Sequence, residues 1–173
     1  MDNPEINNIV ENAIPITMPV AVILQKQPAK SKWIDYQWEA ISVIPGTHEG
    51  EQQFRPIHEE GDTGQYIFSG LTVTLHKDEC ESYYHNLMSP EPSCYVAARF
   101  DDAGQPIPFL ITLDFDEAHA YLEGDETVYA VTIPPEFYRW IEAYVIANYF
   151  PVKRKKRKRD NWKNAQAKRP DIL

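Results

Sequence analysis

Two stretches of the chain share one template at a fixed offset, and no other feature constrains the fold as strongly. Thr74 to Tyr83 reads TLHKDECESY and Thr112 to Tyr121 reads TLDFDEAHAY, so both follow TLxxDExxxY, 38 residues apart. Upstream, Leu71, Val73 and Leu75 alternate as Phe109, Ile111 and Leu113 do, so each copy enters as a strand with one inward face. Downstream, CYVAARF from Cys94 and VYAVTI from Val128 are apolar, β-rich runs. Each copy therefore reads as strand, short helix, strand.

The helix starts carry their own signals. Asp78 with Glu81, and Asp114 with Glu117, place a hydrogen-bond acceptor and an acid three residues on, where free amides and the positive end of the helix dipole need them. Gly124 and Pro90 mark the exits, and DDAGQP at 101–106 is turn chemistry that joins the two copies as a hairpin. Residues 71–133 thus spell βαββαβ, the order of a ferredoxin-like unit with both helices on one sheet face.

Elements flank this unit on both sides. PVAVILQ reads as a strand, PAKSK as a turn and YQWEAISVIP as a second strand, with Trp38, Ala40, Ser42 and Ile44 alternating against Gln37, Glu39, Ile41 and Val43, so an N-terminal β-hairpin is expected. GTHEGEQQFRPIHEEGDTG at 46–64 has little periodicity and reads as a long surface loop with at most a short strand inside it. PPEFYRWIEAYVIANY carries Phe137, Trp140, Ile141, Tyr144 and Val145 on one face of an amphipathic C-terminal helix that opens on proline. The expected class is α+β: one domain over 17–151, preceded by a disordered acidic segment 1–16 and followed by a flexible basic tail 152–173.

Charge separates that tail from the rest of the molecule. Residues 153–173 hold 10 of the 17 Lys and Arg and two acids, Asp160 and Asp171, a net +8; the remainder has seven basic and 24 acidic residues, a net −17. Seven of the basic residues are consecutive: Lys153, Arg154, Lys155, Lys156, Arg157, Lys158 and Arg159. They repel one another, carry no hydrophobic pattern, and are the candidate partner-binding residues. The N-terminus lacks the positive n-region of a secretory signal, and its apolar run from Ile14 to Leu24 is broken by Pro15 and Pro19 and is too short to span a bilayer. A cytoplasmic chain without membrane insertion is expected. Its two cysteines, Cys80 and Cys94, are expected to be reduced and packed.

Residues 18–159 resemble a known domain family. The carriers are MPVAVILQKQPAKSKWIDYQWEAISVIPG with Trp33, Tyr36, Trp38, Val43, Pro45 and Gly46, then NLMSPEPSCYVAAR, then VTIPPEFYRWIEAYVIANYFPVKRKKRKR. The family resembled is a bacterial domain of unknown function whose members sit in gene clusters beside molybdenum-containing formate dehydrogenases and their maturation factors. Some members are labelled molybdopterin-guanine dinucleotide biosynthesis proteins, that is, cofactor guanylyltransferases. The resemblance implies a genomic setting and carries over no site residues.

The chain itself does not spell nucleotidyl transfer. Its seven glycines are scattered through loops, GxGxxG and GxxxxGK[ST] are missing, and the arginines before the tail are Arg55, Arg99 and Arg139. His76, Cys80, His85 and Cys94 are ligand types within 19 residues, but H-x3-C-x4-H-x8-C is not a zinc-finger spacing, so core thiols and surface imidazoles are expected. His48 and His58 lie among Glu49, Glu51, Glu59, Glu60 and Asp62 and read as part of a solvated loop. No GxSxG nucleophile motif occurs, and capping accounts for the matching pairs Asp78/Glu79 and Asp116/Glu117. Neither a catalytic residue, a metal nor a cofactor is therefore expected.

These readings converge on a non-enzymatic accessory or assembly protein for a molybdenum-dependent formate dehydrogenase, docking on a dehydrogenase subunit or maturation factor through Lys153 to Arg159. The alternative is a nucleic-acid-binding or regulatory protein that uses the same run with Trp162 to stack. Against it stand the acidic body and the missing RNP pattern, to which SCYVAARF is the nearest strand. Anionic lipid would attract the run, but the sequence shows no second anchor beside it.

Overall fold

Where the sequence alternates most cleanly, strands form. The computed structural model describes residues 14–46 and 50–151; the acidic residues 1–13, His48 and Glu49 in the 47–49 stretch, and the basic run Lys153 to Arg159 lie outside them. β1 (Thr17–Pro28) and β2 (Tyr36–Pro45) pair antiparallel as the expected hairpin. The register slips between Ile23 and Leu24, so Ile41 bulges out and the inward phase of β2 flips. Ala40 and Val43 are consequently buried, where strict alternation would have put Ser42 and Ile44 inward.

The stretch at 46–64 is more ordered than its composition implies. β3 (Gln53–Glu60) folds back through Gly61 and Asp62 onto β4 (Thr63–Thr74), which starts well before Leu71. β3 is an edge strand with only Phe54 half-buried, so it shows no period-2 apolar pattern, and Pro56 and a register slip beside it blunt the open edge. Close approach also fixes Gly70, which has φ 89° at a register slip; a Cβ there would meet the Gln52 backbone at 2.8 Å.

After β4 come α1 (Cys80–Leu87, entered through a 3-10 turn), β5 (Ser93–Phe100), β6 (Pro106–Thr112), α2 (Phe115–Glu123), β7 (Thr127–Thr132) and α3 (Pro135–Asn148). The strand and helix order of the repeat is therefore as read, but the hydrogen bonding is not that of one ferredoxin-like sheet. β4 pairs with β1 and β3 in a four-stranded antiparallel sheet ordered β2-β1-β4-β3, and β5 sits at the centre of a separate antiparallel sheet ordered β6-β5-β7. The physical reason is competition for β4: β1 pairs along nearly its whole length and β3 takes the other edge from Thr63 to Ser69, so those ladder groups are not left for β6 or β7.

The molecule is an α+β domain of two antiparallel sheets and three helices. The sheets meet along two seams, with β4 alongside β6 and β2 alongside β7. One cluster of buried residues joins both inner faces to α1 and α3: Val22, Leu24 and Phe68 from the first sheet, Cys94, Val96 and Val131 from the second, and Tyr83, Phe137 and Ile141 from the helices. On the outer face of the second sheet, Phe109 packs on Tyr121 and Tyr95 on Phe115, holding α2 against it. Ile14 packs on the core and the Pro15 carbonyl accepts from Trp140, so ordered chain begins before residue 17. Among the described residues no helix is long and apolar enough to cross a membrane.

The capping expectation divides between the copies. Asp114 caps α2 by accepting from the Asp116 amide at 2.9 Å, whereas α1 has no side-chain cap. Glu79 instead accepts from the Tyr83 hydroxyl at 2.6 Å, and Glu117 accepts from Thr112, whose hydroxyl oxygen accepts from the Asp114 amide.

Two outcomes follow from this packing. Replacing Gly70 by Ala should cost about 3 kcal/mol, since left-handed strain adds to a backbone clash, while Gly104→Ala, at φ 77° with open space around it, should cost about 1–2 kcal/mol; urea unfolding of the two variants measures the difference. Cys80 and Cys94 are both free and buried, and burial pushes the Cys94 thiol from 9.0 up to about 12. Between those values the folded chain keeps a proton that the unfolded chain releases, so stability should fall as pH rises from about 9. Burial likewise lifts Tyr129 to about 12, which extends the loss. Urea midpoints taken from about pH 8 to pH 11 should decline less steeply in Cys94→Ala than in the parent.

Candidate functional site

The inner faces of the two sheets are aliphatic at depth and aromatic toward one end. On the first sheet, Lys26 lies across from Trp38 and Gly64, and Leu24 lies across from Ala40 and Tyr66. Trp38 and Tyr66 therefore continue the face that deeper in carries Ala40 and Phe68. On the second sheet Tyr129 pairs with Val96, and Phe100 ends β5 on the same side as Val96 and Ala98. Where β2 and β7 begin, these rings open onto solvent as a groove of about 790 Å³ lined by Tyr36, Trp38, Tyr66, Phe100 and Tyr129, with Lys26, Asp35 and Glu59 at its margin.

The rings form a connected set. Trp38 lies 5.3 Å from Tyr66 and 6.1 Å from Phe54, and Phe54 lies 5.2 Å from Tyr66, in the tilted and edge-on arrangements that aromatic quadrupoles favour. The Lys26 ammonium sits 4.5 Å from the Tyr36 ring centre and 5.9 Å from that of Trp38. Tyr36 donates to Asp62 at 2.9 Å, which raises its pKa. Burial, and then a hydrogen bond with Glu59, raises that of Tyr66. These phenols stay neutral donors over the physiological range. The hairpin tip beside the groove carries Trp33, 93% exposed, and Ile34, 55% exposed.

A second, smaller cavity of about 210 Å³ lies at the other seam, between β4 and β6, and it collects the repeat. Thr74 and Glu79 of the first copy and Thr112 and Glu117 of the second line it together with Thr72, His76 and Tyr83. Equivalent positions of the template thus face one another, which explains the matched acids better than capping does. Tyr83 accepts from the His76 amide and donates to Glu79, and burial raises its pKa first, with Glu79 adding to the shift. Ser82 donates to Asp114, and the Asn86 amide donates to the carbonyls of Ser93 and Leu113, so polar contacts add to the ladders of β5 with β6 and β7 in joining the two copies.

The residues singled out from the sequence are scattered. The run Lys153 to Arg159 lies outside the described residues, as does His48. Cys80 donates to the His76 carbonyl and Cys94 to the Val131 carbonyl as packed thiols, while His85 sits on the exposed side of α1 near Glu81. Among the described residues no group of three or more His, Cys, Asp or Glu side chains comes together as a metal site. His58 lies on edge strand β3 rather than in a loop. The aromatic groove was not visible in the sequence as a site, because its rings come from β2, β4, β5 and β7 and each reads locally as ordinary strand composition.

Residues 19–159 match a family model described as "Protein of unknown function (DUF3305)", and the chain belongs to that family. No curated protein matches the chain. No solved structure matches it either.

Proposed function

Starting from that family membership, we propose that the chain is a non-enzymatic accessory or assembly protein of a molybdenum-dependent formate dehydrogenase. It docks on a dehydrogenase subunit or maturation factor through Lys153 to Arg159 and acts in the cytoplasm. The observation that carries a contact role is the hairpin tip: a tryptophan 93% exposed and an isoleucine 55% exposed stand beside an open aromatic groove. Large apolar side chains held out of the core on a rigid hairpin are the anchors of protein interfaces, where a few aromatic residues supply most of the affinity. The charge split supports a second contact, since a +8 tail on a body of −17 is attracted to an acidic partner surface that the body itself repels. The resemblance of residues 18–159 to domains encoded beside formate dehydrogenases supports the choice of partner.

Capture from native cells tests the proposal. The tagged full chain should retain dehydrogenase subunits or maturation factors and lose them when Lys153 to Arg159 are replaced by Gln or Ser. Trp33→Ala should weaken capture about 30-fold, the weight of a hot-spot aromatic, with no change in unfolding midpoint because the ring is exposed. Recovery of no dehydrogenase protein, together with retention on a nucleic-acid column at physiological salt, would replace this reading by the nucleic-acid one.

A further inference from the structure

The aromatic groove has the chemistry of a receptor for cations on an extended chain. Its rings already hold one ammonium, that of Lys26 over Tyr36 and Trp38, so these faces accept such a group in the folded molecule. Three carboxylates stand at its margin: Asp35 and Glu59 in the lining, and Asp62 on the Tyr36 hydroxyl. None of the three forms an ion pair among the described residues, where the pairs are His85 with Glu81 and Arg99 with Glu126. β2 and β7 border the groove, and each is hydrogen-bonded to a strand on one side only. Such edges offer backbone donors and acceptors to an extended segment.

We propose that this groove receives the basic segment Lys153 to Arg159 of a second copy of the chain. Charge selects the occupant, because that segment is the one dense run of cations in a molecule whose residues 1–152 are net −17. Geometry selects the second copy. β4 runs from Thr63 past Tyr66 at the groove to Thr74, and the Leu75 carbonyl that follows accepts from Tyr144 of α3. Nine residue steps carry the chain from Tyr66 to Leu75, a span of about 30 Å. Beyond Tyr144, α3 closes on its C-cap Tyr149, whose ring lies 5.3 Å from that of Tyr84 in α1, so the described chain finishes at the end of the molecule away from the groove. From Pro151, Lys153 reaches only about 7 Å and Arg159 about 28 Å at full extension. The chain's own groove is therefore beyond the reach of most of the run, and a neighbour's is not. The contact is head-to-tail, so it extends into open chains or, where the rotation between copies allows, closes into a ring. It also competes with the partner contact proposed above for the same seven residues, yet it requires no particular partner.

Analytical ultracentrifugation of the purified full chain across salt concentrations tests it without any dehydrogenase present, so its failure is separate from failure of cell capture. Self-association is expected at low salt, and it should weaken about tenfold or more both when the seven basic residues become Gln and in Asp35→Asn/Glu59→Gln/Asp62→Asn. Asp78→Asn/Glu81→Gln, in the 3-10 turn before α1 and on α1, removes two acids away from the groove and should leave association intact. Mixing the tail-neutral chain, which keeps its groove, with the groove-neutral chain, which keeps its tail, should restore a one-to-one complex. The proposal is overturned by a chain that is monomeric at every salt concentration, by α1 substitutions that act as strongly as those in the groove, or by two variants that do not complement.

Discussion

Burial of one face of α3 holds the two sheets together. Phe137, Trp140, Ile141, Tyr144 and Val145 all pack into the shared core, worth on the order of 10 kcal/mol before the cost of ordering them. Three of the aromatic side chains on this helix also carry a polar tip that ends on a backbone carbonyl elsewhere. Trp140 reaches Pro15 at the entry to β1, Tyr144 reaches Leu75 at the exit of β4, and Tyr138 reaches Leu87 at the end of α1. Those carbonyls sit where ladders and helices stop and would otherwise lack partners. A single helix thus supplies both the apolar filling and the closing hydrogen bonds at one end of the molecule.

Nothing equivalent fills the other end. There the inner faces finish in Trp38, Tyr66, Phe100 and Tyr129, rings large enough to cover the aliphatic core while their outer faces meet water. Gly64, opposite Lys26, adds no side chain to that end of the sheet, and β2 and β7 are not joined by a ladder. The groove is therefore a consequence of building one core from two separate sheets and capping it once. The β4/β6 seam solves the same problem with polar groups, since Thr112, Glu117, Glu79 and Tyr83 satisfy one another where the strand edges are not paired.

How much of this could be read from residues alone depended on whether burial left a period. β1 was legible as an apolar run, β2 by its alternation up to the bulge and α3 by its stripe, as were the two TLxxDExxxY segments and the hairpin between them. β3 was not, because an edge strand exposed on nearly all positions has no apolar phase and its Pro, His and Glu residues read as loop. The phase flip at Ile41 was hidden too, since a bulge changes facing without changing composition. The separation of β4 from β5, β6 and β7 lay deeper still. Sequence order predicts which strands exist, while the competition of β1 and β3 for the edges of β4 decides the pairing. The groove combines all three difficulties, drawing its rings from strands whose relative placement follows only from that competition.

Electrostatics then makes the open end useful. The carboxylates of Asp35, Glu59 and Asp62 contribute nothing to the core, and as part of a body with net charge −17 they add to its self-repulsion. Held beside aromatic faces that are already partly removed from water, the same charges attract a cation more strongly than they would on a flat solvated surface, because the local dielectric is lower. An incoming Lys or Arg relieves the repulsion and covers the rings in one step. The end of the fold that packing leaves unfinished is thus the end where a basic chain gains most.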